Sequence, residues 1–248
     1  MAQAAYAFPT TDALSAGLND FVAKRSKAAI ADHGSFSIAV SGGSLPKLLA
    51  KDLKDNKDVD FSKWHVFWAD ERCVPLDHAD SNYLELKKQL LDSVSIPSDN
   101  IHTINTSFGK DAAKAAEDYE KDVRNYFHNE LPKFDLILLG MGPDGHCCSL
   151  FPGHPLLDEK KLWVAPITDS PKPPPERITL TFPVVNNARA IAFVTAGEGK
   201  QDMLQQILEK PELELPCQRV KPVNNSPVYW FVDQPAAGKL QPATLSQY

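Results

Sequence analysis

Short apolar runs alternate with amphipathic stretches along most of the 248 residues, the pattern of strands alternating with helices. Thr10 or Thr11 is placed to cap a first helix that carries Leu14, Leu18, Phe21, Val22 and Ala29 on one side. SFSIAVSGGS (35–44) reads as a buried strand ending in a glycine turn. LPKLLAKDLKD (45–55) then reads as a helix with Pro46 in its first turn, where a missing N–H costs little. WHVFWADER (64–72) predicts a second strand, SNYLELKKQLLDSV (81–94) a helix, and IHTIN (101–105) a short strand. DAAKAAEDYEKDVRNYFHNEL (111–131) is strongly helical. FDLILLG (134–140) is the most apolar strand candidate and suits the centre of a parallel sheet covered on both faces. WVAPIT, ERITLTF, AIAFVTAG, the helix KQDMLQQILEK and VYWFV complete the series. The expected fold is therefore α/β: one domain over residues 1–248, with a mostly parallel sheet wound on both faces.

Neither an internal repeat nor a long linker interrupts this order. The proline-rich SPKPPPERI (170–178) could serve as a PxxP ligand for another domain, but a loop joining two strands is the simpler reading. Hydrophobic content of 43% and charged content of 23% are ordinary for a soluble globular protein. The formal net charge of −6 argues against nucleic acid or an anionic membrane as the main partner. An anionic small substrate would need a local cluster of cations and backbone N–H groups. Cys73, Cys147, Cys148 and Cys217 form no C-x-x-C pair and read as free thiols of a reducing compartment. The N-terminal stretch lacks the features of a secretory signal, and no apolar run approaches the ~20 residues needed to span a bilayer. A cytoplasmic monomer is the expectation.

Three strand-to-loop junctions, AVSGGS, LLGMGPDGH and VTAGEGK, are rich in small residues. At the carboxyl ends of parallel strands such loops let backbone N–H groups approach an anion, and the next helix N-terminus adds partial positive charge. Three of them point to a phosphate-bearing ligand, although none fits a P-loop. Gly140 to Gly145 matches G-x-G-x-x-G, but the strand lies far along the chain and HCCSLFPGHP follows. Pro152, Gly153 and Pro155 would break the helix a dinucleotide site needs, and Asp158 and Glu159 come too early for the ribose-binding acid. The nicotinamide reading is rejected. What remains is His146, two residues from Asp144 at the end of the most buried strand, where a neutral imidazole can serve as general base. A loop histidine that only caps a turn is the equal alternative. Asp70, Glu71 and Arg72 form either a strand-terminal charge cluster or, through Arg72, a group that holds an oxyanion. Arg177 and Lys200 are the remaining cations suited to a phosphate. No H-E-x-x-H or other metal-ligand spacing occurs, so a metal is not expected, and G-x-S-x-G is absent.

Taken together, SGGS at 41–44, DER at 70–72, GMGPDGHCCSLFPGHP at 140–155, SPKPPPERITLT at 170–181 and GEGK at 197–200 resemble the 6-phosphogluconolactonase family, in order and spacing, over essentially the whole chain. The resemblance implies hydrolysis of 6-phospho-D-glucono-1,5-lactone, without cofactor or metal. It also implies a fold shared with glucosamine-6-phosphate deaminases and ribose-5-phosphate isomerases. Carried over, it makes His146 the base and Asp144 its orienting partner. Arg72 would face the sugar acid or oxyanion, while Ser41, Gly42, Gly43, Ser44, Gly142, Arg177 and Lys200 bind substrate and phosphate. Resemblance to the deaminases would predict a glutamate five residues after the histidine. Phe151 stands there instead, which sets that reading below the lactonase. A noncatalytic sugar-phosphate sensor is the rival from another class.

Overall fold

The computed structural model describes residues 2–248. Its first strand, β1 (Gln3–Phe8), precedes helix α1 (Thr11–His33). Thr10 caps α1 by accepting the Ala13 N–H, and Gly34 ends it at φ +86°. Next come β2 (Phe36–Val40), α2 (Leu45–Leu53), β3 (Trp64–Trp68), β4 (Asp70–Arg72), α3 (Asn82–Gln89), α4 (Ala112–Tyr126) and β5 (Leu136–Leu139). The C-terminal half adds β6 (Val164–Ile167), β7 (Arg177–Leu180), α5 (Phe182–Val185), β8 (Ile191–Thr195), α6 (Gln201–Glu209), β9 (Val228–Asp233) and α7 (Gln234–Ala237).

Six strands form a wholly parallel sheet in the order β1-β9-β8-β5-β2-β3. Successive side chains of a strand point to opposite faces, and both faces here are covered. Ile38, Val40, Leu136, Leu138 and Val194 pack with Leu14, Leu18 and Leu49 of α1 and α2. Ala39, Ile137, Leu139, Ile191 and Phe193 pack on the other side with Tyr119, Val123 and Leu204 of α4 and α6. That is why β5 reads LILL, with no polar position to alternate with. From β2 the chain passes to β3 on one flank, whereas from β5 it passes to β8 on the other. β2 and β5 are direct neighbours, with Val40 opposite Leu138. The crevice beyond their carboxyl ends is thus the switch point where open α/β sheets bind ligands.

Several elements differ from the sequence expectation. WHVFWADER is two strands. Ala69 is fully buried where the chain leaves one sheet for another: its N–H donates to Val40 C=O at 3.0 Å and its C=O accepts from Leu180 N–H at 2.8 Å. Residues 70–72 then pair antiparallel with β7 in a second sheet, ordered β4-β7-β6. IHTIN contributes only the bridge of Ile101 to Val66, because the His102 carbonyl is taken by the Tyr119 hydroxyl. β1 was not expected from the sequence and pairs with β9, from the far end of the chain. α4 stops before 131, where His128 and Asn129 adopt positive φ, and α3 stops at Gln89.

Candidate active site

A cleft of about 220 Å³ opens at the switch point, lined by the loops after β2, β5 and β8, by β4, and by the segment leading into β7. Ser41, Gly42, Gly43, Ser44, Arg72, Gly142, His146, Arg177 and Lys200 all line it, so the expected residues converge. Asp144 stands behind the imidazole.

The β5 loop is shaped around His146. Gly142 N–H donates to the His146 carbonyl at 2.9 Å, and Gly145, at φ +79°, donates to the Gly142 carbonyl at 3.0 Å. A Cβ on Gly142 would lie 2.0 Å from His146 Nδ1, so only glycine lets the ring fold back against the turn. Asp144 Oδ1 lies 2.5 Å from His146 Nδ1 and accepts the His146 backbone N–H at 3.2 Å. The ring also rests on Phe151, with centroids 4.6 Å apart. Burial lowers the His146 pKa, and the Asp144 carboxylate only partly counters it. Burial would raise Asp144, but its hydrogen bond and attraction to His146 win and hold it below the ordinary carboxylate value. The imidazole is therefore neutral at pH 7. An ionised carboxylate can only accept, so the proton sits on Nδ1 and the Nε2 lone pair is left free. No described residue hydrogen-bonds Nε2.

The β2 loop presents a run of unpaired backbone N–H groups to the cleft. Gly43 adopts φ +72°, and the N–H groups of Gly42, Gly43 and Ser44 have no acceptor among the described residues. The Ser44 hydroxyl precedes α2 without making a cap bond, and the Ser41 hydroxyl is buried without a partner. Free N–H groups at the start of a nine-residue helix favour a bound anion. A Cβ on Gly42 would meet Asn82 Oδ1 at 2.0 Å, so this loop packs directly on the start of α3. Asn82 is fixed there by Nδ2 donating to Asp70 C=O at 2.9 Å. Glu71, which the sequence left between cluster and function, proves to be the anchor of α3. It accepts from the N–H groups of Asn82, Tyr83 and Arg72. Burial pushes its pKa up to about 7 against those three donors.

Four cations reach the cleft in different states. Arg72 Nη1 donates to Asp80 C=O at 2.8 Å, and its Nε is buried without a partner. Lys200 Nζ donates to Met141 C=O at 2.9 Å, and its pKa is lowered by burial and then by Lys172. Arg177 is 2% exposed and bonded to the carbonyls of Lys172, Pro173 and Pro174. The sequence reading missed Lys172, which also lines the cleft, together with Asn82 and Thr195. Only the proline-rich surroundings of Lys172 had drawn notice. Asp70, also in the lining, accepts from Ser149 Oγ at 2.8 Å. Among the described residues no group of three or more His, Cys, Asp or Glu side chains could hold a metal ion. The four cysteines are free and buried, and no helix is long and apolar enough to cross a membrane.

The family model described as glucosamine-6-phosphate isomerases/6-phosphogluconolactonase matches residues 9–230. A Schizosaccharomyces pombe protein named "Probable 6-phosphogluconolactonase" is 46% identical, covering 98% of each chain. A Rattus norvegicus 6-phosphogluconolactonase is 44% identical over 93% of this chain and 91% of its own. Among solved structures, the 6-phosphogluconolactonase from Trypanosoma cruzi superposes with a TM-score of 0.83 at 28% identity, covering 96% of this chain and 97% of that one. The chain belongs to the glucosamine-6-phosphate isomerase/6-phosphogluconolactonase family, and within it stands with the 6-phosphogluconolactonases.

Proposed function

We propose that this protein hydrolyses 6-phospho-D-glucono-1,5-lactone to 6-phosphogluconate, with His146 as general base. The observation that carries the reading is the Asp144–His146 pair, which leaves a free Nε2 in the same cleft as the glycine-rich β2 loop and its backbone N–H groups. Nε2 takes a proton from water as the water oxygen attacks the lactone carbonyl carbon. The resulting tetrahedral oxyanion collapses, the bond from that carbon to the ring oxygen breaks, and the imidazolium returns its proton to the departing alkoxide. Asp144 keeps Nδ1 protonated throughout and stabilises the transient imidazolium.

A δ-lactone is electrophilic enough that no covalent nucleophile is required. A positioned base contributes ~10²–10⁴-fold, and Arg72 is available to stabilise the oxyanion. Gly42 to Ser44 and Lys200 hold the phosphate, which turns remote binding energy into orientation of the carbonyl over His146. Neither a metal nor a cofactor enters these steps. The reading carries with it the expectation of a cytosolic monomer, to be checked by sedimentation and cell fractionation.

The test is acid release from freshly prepared 6-phosphogluconolactone, followed against the spontaneous reaction. Hydrolysis well above that background is expected. A purified protein that stays at background while binding 6-phosphogluconate would be a sensor. Ammonia and fructose 6-phosphate formed from glucosamine 6-phosphate would make it a deaminase.

A further inference from the structure

Resting on the lactonase reading, we infer that Lys172 is a phosphate-binding residue of the cleft and that Arg177 is the positioning residue that fixes the loop carrying it. A guanidinium has five N–H donors. In Arg177, Nε donates to Pro174 C=O at 3.0 Å, and Nη2 donates to Lys172 C=O at 2.9 Å and to Pro173 C=O at 3.3 Å. Nη1 reaches Ser149 Oγ at 3.4 Å, leaving one N–H for anything else. Arg177 is thus spent on three consecutive carbonyls of residues 172–174 and has little left for a phosphate, which a free arginine would grip with a two-pronged fork.

The loop needs such a clamp. Pro171, Pro173, Pro174 and Pro175 carry no N–H, so the segment cannot hold itself by ordinary backbone pairing. Ser170 supplies the other tie: its Oγ donates to Lys172 C=O at 2.8 Å and accepts Lys172 N–H at 3.2 Å, while Ser170 N–H reaches Pro175 C=O at 3.3 Å. Both ends of the Lys172 backbone are therefore fixed, and its side chain is directed into the cleft lining. Among the described residues its ammonium group has neither a carboxylate nor a carbonyl partner. Its charge acts on Lys200 and on His146, lowering both pKa values. Two ammonium groups that repel each other across one cavity, beside three free backbone N–H groups, are relieved by a dianion. The phosphate is the dianionic part of the proposed substrate.

The experiment compares kcat/KM for the phosphorylated lactone and for unphosphorylated glucono-1,5-lactone. The wild-type rate on the phosphorylated substrate, measured first, tests the lactonase reading itself. A wild type at the spontaneous rate defeats that reading, whatever the variants do. With an active wild type, Lys172→Ala is expected to cut the preference for the phosphorylated substrate roughly 10- to 100-fold, the range of one charge-assisted hydrogen bond. The loss should fall mainly in KM. The acid limb of the pH profile should also move to higher pH as His146 loses a neighbouring charge. An equal loss on both substrates would assign Lys172 to the carbonyl end and overturn the phosphate role.

Arg177→Lys keeps the charge and loses the planar fork. It is expected to lower the same preference, and to lower it little further when Lys172 is already alanine, because it acts through Lys172. Multiplicative losses in the double variant would make Arg177 a phosphate ligand in its own right. Lys172 is half-buried on a loop, so its alanine variant should fold, and it decides the first half of the inference even where Arg177→Lys does not.

Discussion

The crest of the parallel sheet brings glycines, hydroxyls and one imidazole to the cleft, whereas the antiparallel sheet β4-β7-β6 brings two arginines that face each other across neighbouring strands, Arg72 opposite Arg177. The difference follows from geometry. Parallel strands end at turns into helices, so their loops present backbone N–H groups and a helix N-terminus with few side-chain atoms between them and a ligand. Antiparallel strands run along the side of the cleft and present long side chains. Like charges directly opposite on adjacent strands are unfavourable, and the Arg177 pKa is lowered by burial and by Arg72. The pair is tolerated because Arg177 is surrounded by carbonyls and attracted by the Asp70 carboxylate. One arginine of the pair has its donors engaged by backbone carbonyls, and the other keeps most of its guanidinium uncommitted.

If the crest supplies the base and the side wall only supports the reaction with charge, the largest losses should come from the crest. His146→Ala should reduce kcat by ~10²-fold or more with little change in product affinity. Near-wild-type turnover would remove His146 from the mechanism. Gly142→Ala should cost on the order of 10²-fold in kcat, because a methyl 2.0 Å from Nδ1 must displace the ring. A crystal structure or histidine NMR spectrum with an unmoved ring would refute that account.

Asp144→Asn should lower kcat about 10- to 100-fold by removing a charge-assisted hydrogen bond, and it carries a sign. Burial holds the His146 pKa below 6.5 and Asp144 pulls it upward. The wild-type kcat/KM should therefore be level near neutrality and fall only on the acid side. In the variant that acid limb should move to still lower pH, and a shift toward neutrality would contradict the assigned contacts. On the side wall, Arg72→Lys keeps the charge and loses the fork, for roughly a 10-fold fall in kcat/KM. A loss as large as that of His146→Ala would erase the division between crest and wall. Smallest of all, Thr10→Ala removes the α1 cap, far from the cleft, for about 1 kcal/mol of stability and no kinetic change. Thermal melting paired with the lactone assay reads both.

Much of this was legible before the fold was known. The N-cap at Thr10 or Thr11, of which the structure uses Thr10, the apolar β5 and the glycine turn at 140–145 are local features that were anticipated. β1 was not, because QAAYAF is half alanine with no β-branched residue and has a partner strand more than two hundred residues away. The break at Ala69 was equally hidden, since WHVFWADER has one continuous strand-like pattern and only the arrival of β7 splits it. At the site, His146 stood out by following a buried strand and a flexible turn, with a turn-capping histidine as the equal alternative. Arg177 was recognised as a cation of interest, but its role depends on where its donors point. Lys172 and Asn82 look like surface residues in any linear reading.

The alternation of apolar runs by itself determined a two-faced parallel sheet, and the placing of glycines determined that loops after β2 and β5 could approach an anion. Both follow from side-chain periodicity and from backbone freedom, which act over a few residues. Only the tertiary structure decided which cations are free and which are spent. A guanidinium's hydrogen bonds are allotted among groups brought together from distant parts of the chain, and no local pattern records that allotment.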